Sequence, residues 1–439
     1  MIVNIRRAFF YSLLFTFTLL FSCTHKRYPQ TSTGSKNAVV AEGNPYFLFI
    51  SDIHLDITQK ITDSTTDTGL DLWNSFKIKI DSILGSSNPP SFVICTGDLS
   101  GHDDCDGKCY LKGAQLQKRI AELNTTLTDL RTLVSKHKIP LFFAPGNNDA
   151  VAGDYYSFTS DKGQTPFTFA PDPQNPYPAL NVSAIGTTAP CLLSMPHPSM
   201  GYYSALALPG LRVIALNSVI FSNKYKAIDS VSQIDAGNEE MKWLAGQLKD
   251  AAAQQQKVYI AMHIPPGIDA YKFSRHKMPS TTWAVLPSAE NSWLKIFLNL
   301  SAEYQTTIAG EFYGHTHMDE LRLLYDSTGK NITEVAISTP GICPQHGNNP
   351  GFKTVSFNPQ TMDITDFTTY YTTLPVMNQW GNNIYSFSSI FNNKAGLSIK
   401  DFIKTQNLQA VTKGINQIYT VMHGNPAYDI SGGITVKAQ

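Results

Sequence analysis

Residues 46–54 read Tyr-Phe-Leu-Phe-Ile-Ser-Asp-Ile-His. A short aromatic and branched apolar run without a polar break is a strand buried on both faces. At its C-terminal end it delivers an aspartate and a histidine two positions apart. The same construction recurs along the 439-residue chain. Phe92–Cys95 runs into Thr96-Gly97-Asp98, and Leu141–Ala144 into Pro145-Gly146-Asn147-Asn148-Asp149. Val258–Met262 runs into His263, and Thr306–Phe312 into Tyr313-Gly314-His315-Thr316-His317. Arg212–Asn217 is a further buried run. Between these runs, residues 70–86, 111–137, 236–255 and 290–302 show helical spacing with few breakers. This alternation predicts an α/β layer fold with helices outside. Residues 150–205, rich in Pro, Gly, Ser and Tyr, read as a long loop region over one face. Beyond Gly314 the runs Leu321–Tyr325, Ile332–Ser338 and Thr354–Phe357 suggest a second sheet, and the tail from 376 turns Asn-rich and then helical.

Functional groups in open α/β sheets collect beyond the carboxyl ends of the strands. Five strands each bringing Asp, Asn or His to that edge would surround one point with ligands. Imidazole mixed with carboxylate suits zinc, iron or manganese better than calcium or a thiolate-bound ion. Each piece alone is weak. Asp-x-His recurs by chance, Gly-Asp and Gly-Asn-Asn-Asp are ordinary turns, and a lone His263 would more often be a satisfied histidine near the core. His315 and His317, two apart on a strand, point the same way. The weight comes from all five standing in order at strand ends.

That ordered set resembles the calcineurin-like metallophosphoesterases. Thr96–Asp103 (TGDLSGHD), His263–Gly267 (HIPPG), Gly314–Glu320 (GHTHMDE) and Asn349-Pro350-Gly351-Phe352 are similar to the acid sphingomyelinase-like phosphodiesterases of that superfamily. Tyr419–Tyr428 (YTVMHGNPAY) looks like their C-terminal helical part, so the resemblance spans about residues 46–430. It implies a four-layer α/β/β/α sandwich over 45–375 with a small C-terminal helical subdomain over 376–439. It also implies two divalent metal ions, zinc first and iron or manganese as alternatives. Carried over, Asp52, His54, Asp98 and His317 would hold one metal. Asp98, Asn147, His263 and His315 would hold the other, with Asp98 shared. Two metals about 3.5–4 Å apart supply a hydroxide nucleophile and neutralise phosphoryl charge.

The departure is Asn148. Most of the superfamily has histidine there, able to protonate the leaving oxygen; the endopolyphosphatase branch resembles this chain in having Asn-Asn-Asp. Asparagine cannot serve as that acid, which points to phosphoanhydrides or activated phosphodiesters, unless His102 acts instead. His102 matches a histidine that the sphingomyelinase-like enzymes keep near the site. His346 either lines the pocket or is a solvated loop histidine, while His197 and His276 read as surface residues and His137 as the end of a helix. The rival readings are a sphingomyelin-type phosphodiesterase and a surface lipoprotein that binds a phosphorylated ligand without turning it over.

The N-terminus reads as a targeting segment. Arg6 and Arg7 precede the apolar run Ala8–Phe21, which is short for a membrane span and ends at Ser22-Cys23. Leu20-Phe21-Ser22-Cys23 resembles a bacterial lipobox. A signal over 1–23 and a polar tether over 24–44 therefore predict an exported protein, lipid-anchored in a bacterial envelope or otherwise secreted. The 34 basic and 34 acidic residues balance, and losing Arg6 and Arg7 leaves a slight acidic excess. Such a surface gives no reason to expect nucleic-acid binding, and membrane attachment is expected only through a lipid anchor. The expected partner is the phosphoester substrate, small or polymeric, and the oligomeric state is open. Cys105 and Cys109 sit close enough in one loop to pair in an oxidising compartment. Cys191 with Cys343 is a second candidate pair, and Cys95 reads as a buried thiol.

Overall fold

The apolar runs pair into two mixed sheets in a computed structural model of the chain. The structure describes residues 44–438 except 104, 106–108, 161, 169–179, 184, 229–230, 269–280, 285–291, 376–378, 381–382, 394–395 and 424–433. All the described residues belong to one compact unit. The signal, the lipobox-like end and nearly all of the tether lie outside the described residues.

The first sheet is built on β1 (Tyr46–Ile50), with β2 (Val93–Cys95) and β3 (Leu141–Phe143) parallel to it on one side. On the other side stand β11 (Gly351–Phe357), β12 (Ile364–Tyr371) and β13 (Asn383–Ser386), each antiparallel to its neighbour. The second sheet runs β14-β9-β10-β8-β7-β6-β5-β4. Its centre, β6 (Leu211–Ala215), β7 (Lys257–Ala261), β8 (Ile308–Tyr313) and β10 (Ile332–Ser338), is parallel. Both sheets thus send the ends of their parallel strands to one edge, as the sequence pattern requires.

Side chains alternate along the strands and divide the core into layers. Phe47 and Phe49 on β1 meet Phe312 edge-on at 5.1 and 5.5 Å, and Phe47 also packs on Tyr259, so aromatic rings fill the space between the sheets. The outer face of the second sheet (Val258, Ile260, Met262) packs with α3 (Gln233–Ala253) and α4 (Trp293–Glu303). α1 (Leu70–Leu84) and α2 (Gly113–Lys136) bury Trp73, Phe76, Leu123 and Leu127 in the same core as the first sheet. This is the expected layered α/β sandwich.

Two expectations change. The presumed loop 150–205 contains β4 (Cys191–Ser194) and the start of β5 (Tyr203–Leu208). β4 is the edge strand and β5 lies between it and β6, in a segment whose prolines and glycines mask a short antiparallel pattern. The suggested pairing of Cys191 with Cys343 does not occur. Cys191 lies on the edge strand β4, Cys343 lies in the loop beneath His317, and both are buried free thiols, as is Cys95. Cys105 and Cys109 do form a disulfide.

The tail is woven into the sandwich rather than set on it. β13 extends the first sheet, and β14 (Thr435–Val436) pairs with β9 (Leu321–Tyr325) at the edge of the second. Three helices, α5 (Phe387–Phe391), α6 (Ile399–Thr405) and α7 (Leu408–His423), lie between them in sequence.

Candidate metal centre

Strand ends alone would not bring the five motifs to a point; the turns beyond them must fold back sharply. They do so through left-handed backbone. Eleven non-glycine residues have positive φ among those described, and five of them are Asp52, His54, Asp98, His315 and His317, at 51°, 44°, 56°, 72° and 60°. A non-glycine residue pays a conformational cost there, and such strain concentrates at functional sites. Two glycines make room. A Cβ on Gly146 would collide with the Asp98 carboxylate, and one on Gly314 with Ser51 Oγ.

The result is two adjoining triads, Asp52–His54–His317 and Asp98–His263–His315, each with its ligand atoms within 4.8 Å of one another. Asp98 joins them: its Oδ2 lies 3.4 Å from His54 Nε2 and 3.1 Å from His263 Nε2. Asp52 Oδ1 lies 3.6 Å from His317 Nε2 and 4.0 Å from His263 Nε2. Asn147, at the start of the turn after β3, lines the same cavity as Asp98.

Three of the donors are aimed by a neighbour. His263 and His317 turn Nδ1 to backbone carbonyls, those of Thr96 at 2.6 Å and Cys343 at 3.1 Å, which leaves Nε2 for the centre. Asn147 donates Nδ2 to Asp154 Oδ1 at 2.6 Å, which turns its buried, unpartnered Oδ1 away from Asp154. Both ring nitrogens of the buried His54 lack a hydrogen-bond partner. An orphaned imidazole and an orphaned amide oxygen beside two carboxylates are costly in a closed fold, and a cation removes that cost. The donor set therefore fits divalent metal ions.

Charge balance agrees. Burial, reinforced by His102, pushes His54 down to about 3. Burial likewise holds His315 and His317 well below the usual range. All three are thus neutral, the form that ligates. Burial also raises Asp52. His263 goes the other way: burial works against its charge, but Asp98 and Asp52 outweigh it and raise it to about 9. A metal ion arriving here replaces that proton.

Asp149, the last residue of the Gly-Asn-Asn-Asp turn, accepts from the backbone N–H of Asp98, Leu99 and Gly146 at 2.8, 2.8 and 2.6 Å. It locks the turn after β2 to the turn after β3. Asn148 is buried and committed to Asp98, through its backbone N–H at 2.7 Å and Nδ2 at 3.2 Å. It does not line the cavity above the triads, which measures about 190 Å³. His102 does. Its ring stacks on His54 at 4.1 Å, and Asp67 grips it twice, with Oδ1 2.7 Å from Nδ1 and Oδ2 accepting from the backbone N–H at 2.8 Å. His346 also lines the cavity, edge-on to His317 at 4.3 Å. His197 is exposed beside Glu239, and His137 bonds Asp81; His276 lies outside the described residues.

The family profile described as Calcineurin-like phosphoesterase matches residues 45–319. The chain belongs to that family. This calcineurin-like phosphoesterase is 26% identical to the cyclic GMP-AMP phosphodiesterase SMPDL3A of Mus musculus over 370 residues, 78% of this chain and 75% of the relative. It is 28% identical to sphingomyelinase phosphodiesterase D of Dictyostelium discoideum over 71% of this chain and 64% of that one. It is 27% identical to the sphingomyelin phosphodiesterase of Bos taurus over 68% of this chain but only 42% of that one. The calcineurin-like phosphoesterase described here is accordingly a metal-dependent hydrolase of phosphoric esters, with a candidate di-metal site of Asp and His residues.

Asp67, Asp154, Tyr155 and Lys224 are site residues that the sequence pattern did not reveal. None stands at a strand end, and each is brought in by a connecting segment.

Proposed function

We propose that the chain hydrolyses a phosphodiester or phosphoanhydride outside the cytoplasm, with Asp52, His54, Asp98 and His317 holding one metal ion and Asp98, Asn147, His263 and His315 the other. The observation that carries this reading is the pair of triads joined through Asp98, with orphaned donors turned toward one point. Zinc suits the imidazole-rich donor set, with iron and manganese as alternatives. When bound, the two ions supply an activated water and neutralise the phosphoryl oxygens.

The protein residues do the rest. Asp98 and Asn147 are fixed by the backbone of Asn148 and by Asp154, so the donor set is preorganised before any cation arrives. Asn148 acts through Asp98 and not on the leaving group. His102 is the group placed to hold a proton for the departing oxygen: Asp67 occupies Nδ1, which leaves Nε2 for the cavity. The relatives' names, phosphodiesterases of a cyclic dinucleotide and of sphingomyelin, support a diester-type reaction. Export is supported by Ala8–Phe21 followed by Cys23 and by the Cys105–Cys109 disulfide, which suits an oxidising compartment. Among the described residues no helix is long and apolar enough to cross a membrane.

The decisive test is turnover by the zinc- or manganese-loaded chain of a nitrophenyl phosphodiester, a nitrophenyl monoester, ATP, polyphosphate and sphingomyelin. Cleavage of diester or anhydride, abolished in Asp98→Asn, is the expected result. A chain that binds metal yet turns over none of them would be a ligand-binding protein instead.

A further inference from the structure

One wall of the cavity has a chemistry that two metal ions and His102 do not explain. Lys224 is the lone lysine or arginine among the described residues lining it. Its ammonium stands over the ring of Tyr155 at 4.5 Å and donates to the Tyr155 hydroxyl at 3.2 Å. That tyrosine in turn presents its ring edge-on to His315 at 6.4 Å.

The pair is built, not incidental. Tyr155 is buried and has φ 62°, a strained value for a bulky aromatic residue. Its backbone is held at both ends, its N–H donating to Asn147 O at 3.1 Å and its carbonyl accepting from Lys226 N–H at 2.9 Å. The turn carrying Lys224 is pinned as well. Lys224 N–H meets Ser222 Oγ at 3.2 Å, and Gln233 Nε2 bonds the carbonyls of Ile220 and Ser222 at 2.7 Å each. Strain held in place by surrounding bonds beside a reactive centre marks a positioned group.

We propose that Lys224, held on Tyr155, receives a second phosphate next to the one being hydrolysed, and so selects substrates with adjacent phosphates. The inference rests on the hydrolase reading above and narrows it to phosphoanhydrides such as nucleoside polyphosphates or inorganic polyphosphate. The scissile phosphoryl finds its cations in the cage. A neighbouring phosphate needs another, since His102 is paired with Asp67 and assigned to the departing oxygen, and the cavity also presents the carboxylates of Asp98 and Asp154; Lys224 supplies it. The same lysine disfavours a phosphocholine ester. A tyrosine face can receive a quaternary ammonium, but here a face of Tyr155 is covered by an ammonium that would repel it.

The test compares the full, metal-loaded chain with Lys224→Met and Lys224→Arg on ATP, bis(p-nitrophenyl) phosphate and p-nitrophenylphosphorylcholine. For Lys224→Met the ratio of kcat/KM for ATP to that for the nitrophenyl diester should fall about tenfold, mostly through KM for ATP. That is the low end for a charge-assisted hydrogen bond, because Lys224 is exposed and its charge is screened. Lys224→Arg should keep most of the ratio, and the wild-type preference should shrink as salt is raised. The phosphorylcholine ester should gain on the diester in Lys224→Met. An unchanged ratio, including the case where all substrates fall together, would make Lys224 a structural prop and overturn the proposal. If the wild-type chain hydrolyses none of the three, the hydrolase reading fails and calorimetry decides this one. Tighter binding of imidodiphosphate than of methylphosphonate, lost in Lys224→Met, would uphold the subsite, and equal binding would overturn it.

Discussion

The floor of the cavity and its wall are made in different ways. The floor consists of strand ends: Asp52, His54, Asp98, His263, His315 and His317 are each within a few residues of a parallel strand, and backbone carbonyls aim His263 and His317. The wall consists of connecting segments, with Tyr155, Lys224 and His346 held by turns and cross-bridges. A floor on rigid elements can fix reacting atoms to a fraction of an ångström, whereas loops can vary without disturbing it. On the reading proposed above, the chemistry would reside in the floor and part of the choice of substrate in the wall.

The largest expected effect comes from the floor. Asp98→Asn removes the carboxylate shared by the two triads while keeping its shape and the hydrogen bond from Asn148 N–H. Loss of several kcal/mol of charge stabilisation corresponds to a drop in kcat/KM of about a thousandfold or more. Metal content measured by mass spectrometry should fall with it. Without metal, Asp98→Asn should also melt below the wild type at neutral pH, because the fold, despite burial, holds Asp98 ionised beside His263 and His54, well below the usual carboxylate range. An Asp98→Asn chain that stays folded and keeps its full metal content would mean that the carboxylate serves the fold rather than a cation.

His102→Ala tests whether the boundary between floor and wall carries the acid. A positioned general acid contributes about 10²- to 10⁴-fold, and only where the leaving oxygen needs a proton. An alkyl phosphodiester should therefore lose far more than a nitrophenyl diester. Asp67→Asn keeps the shape of the Asp67–His102 pair but removes its charge, and should show the same leaving-group dependence more weakly. Equal losses on both substrates would remove His102 from that role.

Asp154→Ala is expected to act one step further out. Without Asp154 Oδ1, nothing holds the Asn147 amide with its oxygen toward the centre. Loss of such an outer partner weakens metal binding about 10- to 100-fold. Activity should then be recoverable with excess metal, read by titrating zinc into the stripped chain. Asp154→Asn, which still offers a carbonyl acceptor, should bind metal nearly as the wild type does.

Much of the floor was legible because its signal is local. Apolar runs ending in Asp-Ile-His, Gly-Asp, Gly-Asn and Gly-His-Thr-His give both the strands and what they carry, and the structure brings these residues together as two triads. The wall was not legible, because its contacts are long in sequence and ordinary in composition. Asp67 and His102 are 35 residues apart, and Tyr155 and Lys224 are 69 apart; His102 stood out only through the resemblance carried by Thr96–Asp103, and nothing near Asp67, Tyr155 or Lys224 distinguishes them from solvated residues. β4 and β5 were hidden for a related reason: both are short, carry serines and follow a Pro- and Gly-rich stretch that reads as loop. Cys191 and Cys343 show the limit from the other side, since two apolar-flanked cysteines behind a signal-like N-terminus invite a pairing that their positions at β4 and beneath His317 prevent.

The smallest effect tests whether the orphaned atoms of the floor are special. Glu240, on α3, is also fully buried, and its Oε2 also lacks a partner, while Oε1 accepts from Asn217 N–H at 2.7 Å. Burial raises it to about 8, but it belongs to no cluster of ligand groups among the described residues. A buried unsatisfied carboxyl alone is thus no metal site; the floor differs because several such groups converge. Since the folded-state value lies above the ordinary 4.5, the fold favours the protonated form. The associated stability is complete below about pH 4.5 and is lost as pH rises toward 8. Glu240→Gln, which cannot ionise, should escape that loss. Melting curves from pH 5 to 8 should show the variant gaining on the wild type by on the order of 2 °C, with zinc content and kcat/KM unchanged. A loss of bound metal in Glu240→Gln would erase the distinction between the converged donors of the floor and a solitary buried acid.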